Sequence, residues 1–410
     1  MSILSDAHAI TEAALAAAQP DTAVEKALAG LPAYSGRLVL IAVGKAAWQM
    51  AAAAVRRLGD RVSGGVVITK YAHSMGSIGS LAIYEAGHPV PDENSYRATR
   101  AAIDAVTVLT EDDLVLFLLS GGGSALFEKP LISAEELADI TGQLLACGAD
   151  ITEINTLRKR FSAVKGGRFA QLCAPARVFS VVLSDVLGDP LDMIASGPAY
   201  PDSSTSEQAL SVAGKYRLRM SDRARELLRE ETPKELSNAQ SVITGSVRQL
   251  CAAASEAART LGYRPVVLSD SLCCTARDAG SFLASIARYS ADTEESLAFI
   301  AGGETVVHLT GPGLGGRNQE LALGAAKGIA GLRDTLIFSV GSDGTDGPTD
   351  AAGGWVDGRT VERLSEKGIS PDAVLQENDA YHALQAVDGL IMTGPTGTNV
   401  NDLSVLLIKR

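Results

Sequence analysis

The amino-acid sequence predicts an α/β protein built of two domains, and three observations carry that expectation. Short apolar runs, often β-branched, alternate with Ala-rich helical stretches almost from end to end. The chain has 410 residues, too many for one ordinary core yet enough for two that each bury most of their apolar surface. Between two such sets of runs lies "RELLREETPKELSNAQ" (225–240), charged and containing Pro233, which is the best place for a boundary. The division expected is 1–235 and 236–410.

In chain order, the strands expected are "RLVLIAV" (37–43), "GVVIT" (65–69), "LVLFLLS" (114–120), "VFSVVLS" (178–184), "PVVLS" (265–269), "LAFIAGG" (297–303) and "TLIFSVG" (335–341). Their nearly unbroken apolarity suits a parallel sheet covered on both faces and predicts a Rossmann-like pattern. Helices are expected between them, as at "KAAWQMAAAAVRRL" (45–58) and "SVRQLCAAASEAARTL" (246–261). The stretch "TGPGLGGRNQELAL" (310–323) sets turn-making Gly and Pro before an Arg and a run of good helix formers. Glycine lets backbone N–H groups crowd toward a ligand, and a helix N-terminus carries unpaired donors, so the stretch looks built for an anion. Arg317 in the first turn opposes the helix dipole unless a negative ligand or a carboxylate offsets it.

Bulk properties exclude several classes. With 46% hydrophobic and 20% charged residues the chain is globular rather than disordered. A net charge of −12 without any basic block excludes nucleic acid as the expected partner. Cys147, Cys173, Cys251, Cys273 and Cys274 are odd in number and scattered, and the adjacent pair lacks a metal-site spacer, so buried free thiols in a reducing cytoplasm are expected. The first twenty residues are acidic where a secretory signal is basic, and no apolar run reaches membrane-spanning length, so neither export nor a membrane is expected.

Ligands of open α/β sheets sit outside the carboxyl ends of the strands, and here those loops are rich. Lys45 follows the first strand; Ser120, Gly121, Gly122, Gly123 and Ser124 follow the third. Asp185, Asp189 and Asp192 follow 178–184, Glu304 follows 297–303, and Asp343, Asp346 and Asp350 follow 335–341. Each alone has a bland explanation as a cap, a turn former or a solvated lysine. Together they fit phosphoryl transfer, in which backbone donors cradle oxygens, Lys and Arg neutralise the moving group, and carboxylates hold Mg²⁺ or orient the accepting hydroxyl. The P-loop and protein-kinase motifs do not occur, so a nucleotide enzyme of another kind is expected.

Seven motifs in order then resemble one family over nearly the full chain: "VGKAAWQMA" (43–51), "GHPVPDENS" (87–95), "LLSGGGSAL" (118–126), "INTLRKRFSAVKGGRFA" (154–170), "LSDVLGDPLDMIASGP" (183–198), "GGRNQELAL" (315–323) and "GSDGTDGPTDAAG" (341–353). The chain resembles the glycerate 2-kinases containing the MOFRL domain. The resemblance implies a larger Rossmann-like N-terminal domain, a smaller C-terminal one, an active-site cleft between them, and ATP- and Mg²⁺-dependent phosphorylation of D-glycerate at its 2-hydroxyl. It implies that Lys45 and Arg317 stabilise the phosphoryl group, a phosphate or substrate carboxylate offsetting Arg317, with Asp185 as a further catalytic group. Ser120, Gly121–Gly123, Ser124, Gly315, Gly316 and Asn318 are the expected nucleotide and phosphate contacts. Asp185, Asp189 and Asp343 are the expected metal ligands. Arg158, Lys159 and Lys165 form a cationic cluster; Arg158 and Lys159 are expected on the glycerate carboxylate, with His88 and Glu304 as further substrate contacts.

His88 belongs to a family motif, though a turn role serves it equally well; His8 in a helix, His308 in an expected strand and His382 in an amphipathic stretch lack ligand spacing. An NAD(P)H-dependent hydroxypyruvate reductase is the rival reading. It needs a dinucleotide loop after the first strand, where no GxGxxG stands, and "GPGLGGRN" fails in spacing. A non-catalytic sensor would leave Lys45 and Arg317 together unexplained. The oligomeric state stays open, a homodimer included.

Overall fold

The computed structural model describes residues 2–410, which divide into a first unit, Ala23–Thr244, and a second unit, the segment up to Thr22 together with Gly245–Arg410. After α1 (Ile3–Ala17) the chain passes from the second unit to the first inside α2 (Pro20–Leu28). The first unit continues with β1 (Leu38–Val43), α3 (Ala47–Leu58), β2 (Val62–Lys70), β3 (Leu81–Ala86), α4 (Glu93–Val106), β4 (Leu114–Leu119) and the single turn α5 (Gly123–Leu126). Then come α6 (Ala134–Ala146), α7 (Ile151–Arg160), α8 (Arg168–Cys173), β5 (Arg177–Leu183), α9 (Ser206–Lys215), α10 (Asp222–Arg229) and β6 (Ala239–Gly245).

The strand order of this unit is β3-β2-β1-β4-β5-β6, with the pairs from β3 through β5 parallel, which is the Rossmann order. Every residue of β1 and β4 is buried, as strands covered on both faces require. Phe117 on β4 packs against Phe127 and Phe169 with ring centroids 5.9 and 4.9 Å away, fixing the layer beneath the loop that leaves β4. The alanines of α3 present a thin buried face to the sheet, so the turn between β1 and α3 is held close to it. The order reverses between β1 and β4, and the crevice outside their carboxyl ends is the switch point where ligands bind in such sheets.

The second unit adds α11 (Val247–Thr260), β7 (Arg264–Leu272), α12 (Ala276–Tyr289), β8 (Leu297–Gly303), α13 (Arg317–Ile329) and β9 (Thr335–Gly341). It closes with β10 (Gly353–Asp357), α14 (Thr360–Glu366), α15 (Pro371–Gln376), α16 (Ala380–Ala386), β11 (Leu390–Ile391) and β12 (Asp402–Ile408). Its order is β11-β10-β9-β12-β8-β7, and β12 lies antiparallel between β8 and β9. The expected parallel sheet therefore holds for the first unit and not for the second, which is mixed. Apolarity reports burial on both faces and carries no direction, so a fully buried antiparallel strand reads the same way.

α1 packs on α11, and its buried Asp6 accepts from Tyr263 Oη at 2.7 Å and from Lys409 Nζ at 2.6 Å. The polar stretch in which the boundary was expected precedes β6, and β6 extends the first sheet. Cys173 and Cys251 are buried as expected, whereas Cys147, Cys273 and Cys274 are exposed, because they lie at the ends of elements and not inside them. His308 sits in the loop after β8 instead of in a strand, since β8 ends at Gly303. Among the described residues no helix is long and apolar enough to cross a membrane.

Candidate active site

At the switch point of the first unit the loops after β1 and β4 are tied together. Lys45 N donates to Gly121 O at 2.8 Å, Ala46 N to Ser120 Oγ at 3.1 Å, and Ser120 N to Val43 O at 2.9 Å. Lys45 O lies 3.2 Å from Nδ1 of His73, a residue the sequence reading passed over because nothing around it repeats or spaces like a site. The Lys45 side chain is half-buried and its backbone is fixed from both sides.

The three glycines show what this corner is for. A Cβ at Gly121 would run into the Asp185 carboxylate. At Gly122, where φ is +87°, it would meet the His88 ring at 2.9 Å and Lys45 Cγ at 3.3 Å; at Gly123 it would meet Ala195 Cβ at 2.6 Å. Side chains are absent here so that Lys45, His88 and Asp185 can converge on one loop. Burial, with the Lys45, Lys70 and His73 charges behind it, holds His88 below its ordinary pKa and therefore neutral. The helix that follows is only four residues long, so its dipole adds little at Gly121–Ser124. Ser124 Oγ lies 3.3 Å from Ser196 Oγ, which donates to Asn155 Oδ1 at 2.9 Å, pinning the loop after β5 to α7.

That loop carries the acidic candidates. Asp185 is half-buried, and Asp189 holds a positive φ of 54° with its Oδ1 buried and without a hydrogen-bond partner. Asp192 is otherwise engaged, accepting from Lys159 Nζ at 3.3 Å and from Ser203 Oγ at 2.5 Å. Among the described residues no group of three or more His, Cys, Asp or Glu side chains is placed to hold a metal ion by itself. Asp185 and Asp189 stand on one loop, while Asp343 belongs to the second unit, where its Oδ1 accepts from Thr345 N at 3.0 Å within a turn.

The cationic cluster separates into three roles. Lys159 is only 1% exposed, with Nζ 2.9 Å from Asp202 Oδ1, so the structure turns it into the core and away from a small acid. Lys165 is fully buried, donating to Glu128 Oε2 at 2.5 Å and Phe127 O at 3.0 Å, and burial lowers its pKa. Arg158 alone of the three faces open space, a cavity of about 660 Å³ that also touches His88, Gly122 and Ser124. Burial works against the Arg158 charge and Glu128 supports it.

In the second unit α13 begins at Arg317, and its N-terminus is already filled. Asp346, 2% exposed, accepts from Asn318 N at 3.1 Å and Gln319 N at 2.9 Å. Burial raises the Asp346 pKa, and the helix donors pull the other way. The phosphate role expected for Gly315, Gly316 and Asn318 thus meets an internal carboxylate in the anion's place. Gly316 has no room for a side chain because Asp346 crowds it, and Gly313 and Gly315 are hemmed in because residues 377–380 pass against them.

Arg317 is offset by carboxylates of the protein. Its Nε and Nη2 donate to Asp402 at 2.6 and 3.0 Å, and Nη1 donates to Glu304 Oε1 at 2.7 Å. Burial opposes the charge, yet the Asp402 hydrogen bonds and the Asp402 and Glu304 charges outweigh it and raise the Arg317 pKa. Asp402, the residue that the sequence reading missed, is pushed up to about 6 by burial, with Arg317 resisting. Only its place at the head of an apolar C-terminal run could have signalled it.

Two family models match the chain. Residues 6–229 match a family described as a domain of unknown function (DUF4147), and residues 297–402 match the MOFRL family. The D-glycerate 2-kinase of Thermotoga maritima is 52% identical over 405 residues, covering 97% of each chain. A relative from Agrobacterium vitis, 42% identical over 91% of this chain and 100% of its own, carries a hydroxypyruvate reductase name. A crystal structure of glycerate kinase from Thermotoga maritima superposes with a TM-score of 0.95 at 51% identity, covering 98% of this chain and 99% of that one.

Proposed function

The chain belongs to the family of MOFRL-containing glycerate 2-kinases, and on that premise we propose that it transfers the γ-phosphoryl group of ATP to the 2-hydroxyl of D-glycerate, giving 2-phosphoglycerate and ADP. One observation carries the reading: the loop Gly121–Gly123 lets a lysine, a neutral histidine and an aspartate meet at the switch point of a Rossmann-ordered sheet. Lys45 neutralises charge on the transferring group, and the backbone around Gly121–Ser124 positions its oxygens. Asp185 orients the accepting hydroxyl. Arg158, the one cation of its cluster on a cavity, takes the glycerate carboxylate. Arg317, held by Asp402 and Glu304, is a further cation for the transferring group.

Mg²⁺ fits the donor set. It prefers oxygen ligands and keeps several waters, so one or two carboxylates suffice, and the partnerless buried Oδ1 of Asp189 beside Asp185 on one loop supplies such oxygens. A bound Mg²⁺ would neutralise phosphate charge during transfer. The three exposed free thiols suit a reducing cytoplasm.

The test is a coupled assay on the purified chain with ATP and D-glycerate, using detection that separates 2-phosphoglycerate from 3-phosphoglycerate. The 2-isomer with stoichiometric ADP is expected. Formation of the 3-isomer would overturn the regiochemistry, and NADH consumption with hydroxypyruvate in place of ATP turnover would return the reductase reading.

A further inference from the structure

The cavity of about 660 Å³ on the first unit is larger and more apolar than glycerate can use. Its polar lining includes Arg158, Tyr96 and Glu128, the last with Oε2 on Lys165 and Oε1 buried without a hydrogen-bond partner. Its apolar lining comes from Pro89, Val90 and Pro91 of the turn before α4 and from Leu137, Leu145 and Ile151. Val90, Leu145 and Ile151 are 69, 64 and 62% exposed, an arrangement that leaves apolar surface in water unless something covers it. A three-carbon acid bearing hydroxyls and a carboxylate has nothing to lay against those walls.

Gly142 adds an independent observation. It lies inside α6 on the cavity wall, where glycine weakens a helix relative to alanine. No atom lies within 4 Å of where its Cβ would stand, so packing within the protein does not demand a glycine there. Glycine at such a place leaves the backbone accessible to the flat face of a ligand. The cavity also runs into the catalytic corner, sharing His88, Gly122 and Ser124 with it.

We propose that this cavity receives the base and ribose of the nucleotide, the base lying between the Pro89–Pro91 turn and α6 at Gly142, with the phosphates extending toward Gly122 and Lys45. The assignment rests on the kinase reading above. Its size falls within the roughly 300–1,000 Å³ typical of sites for ligands of this kind. Glu128 Oε1 supplies an acceptor suited to an amino group on the base, and the apolar walls supply the faces.

The test uses the full chain carrying Gly142→Leu, which fills the wall while improving helix propensity, and separately Ala138→Trp, at an exposed lining position of the same helix. In steady-state kinetics with each substrate varied, both variants should raise KM for ATP about tenfold or more, with kcat and KM for glycerate within about twofold. Unchanged KM for ATP in both overturns the proposal, and so does a rise confined to KM for glycerate, which would set the acceptor and not the base against α6. Because a failed kinase reading would appear as wild-type protein that makes no ADP, calorimetric titration with ADP is run in parallel. Tighter ADP binding by wild type than by Gly142→Leu at an unchanged Tm supports the site whatever the reaction proves to be. Equal binding, or none in the wild type, overturns it.

Discussion

Two glycine-rich turns, Gly121–Gly123 and Gly311–Gly316, look alike in sequence, each following a buried strand and preceding a helix, and the chain uses them in opposite ways. At the first, the space left by missing side chains is taken by Lys45, His88 and Asp185, groups that remain partly accessible. At the second it is taken by the protein's own backbone at residues 377–380 and by Asp346, which seals the N-terminus of a thirteen-residue helix. Glycine richness therefore announces that something approaches closely. Whether that something is a ligand or the chain itself depends on which carboxylates are built in.

The contrast breaks first at Lys45. Lys45→Met should lower kcat roughly a thousandfold, the scale on which cationic stabilisation acts in phosphoryl transfer, with little change in Tm. Wild-type turnover in a folded Lys45→Met protein would make the first turn as structural as the second.

At the second turn the larger effect should fall on stability. Arg317→Ala leaves buried Asp402 without its bidentate partner and is expected to cost about 3 kcal/mol in denaturant unfolding, besides lowering kcat. Adding Asp402→Asn should recover part of that stability without recovering kcat. Recovery of both would mean that Arg317 acts only as a strut.

Asp346→Ala tests the filled helix end and should cost about 2 kcal/mol, the upper range for a lost cap, with KM for ATP unmoved. A raised KM for ATP with normal stability would restore the phosphate site expected from the sequence. The smallest effect is on pH dependence. Asp402 in the folded chain sits near 6, above the ordinary carboxyl value, so between about pH 4 and 6 the folded state holds the extra proton. Its contribution to stability is present below that window and is lost as pH rises through 6. Asp402→Asn should remove that slope from unfolding free energies measured across pH 4–7, and an unchanged slope would assign it to another group.

Much of this was legible in the sequence, for reasons that particular residues make plain. Continuous apolar runs marked β8 and β9 to the residue, because strands buried on both faces tolerate nothing else. β3, with Tyr84 and Glu85 at the sheet edge, and β6, beginning in a polar stretch, lack that signature and were missed. Lys45, Gly121–Gly123 and Asp185 were found together because strand-end loops of one sheet are neighbours by topology. The cations were harder. Lys159 finds Asp202 43 residues on, and Arg317 finds Asp402 85 residues on, and no local pattern tells a cation facing a cavity from one meeting a buried carboxylate.

The Asp6 hydrogen bonds also bear on how the chain is made. α1 is synthesised before the rest of its unit, and Tyr263 and Lys409, which anchor it, follow 257 and 403 residues later. The first unit has every strand of its sheet by Gly245, so it can fold during translation while α1 waits as an unanchored amphipathic segment. Chaperone dependence should therefore show in the second unit, through a segment made more than two hundred residues before the strands it joins.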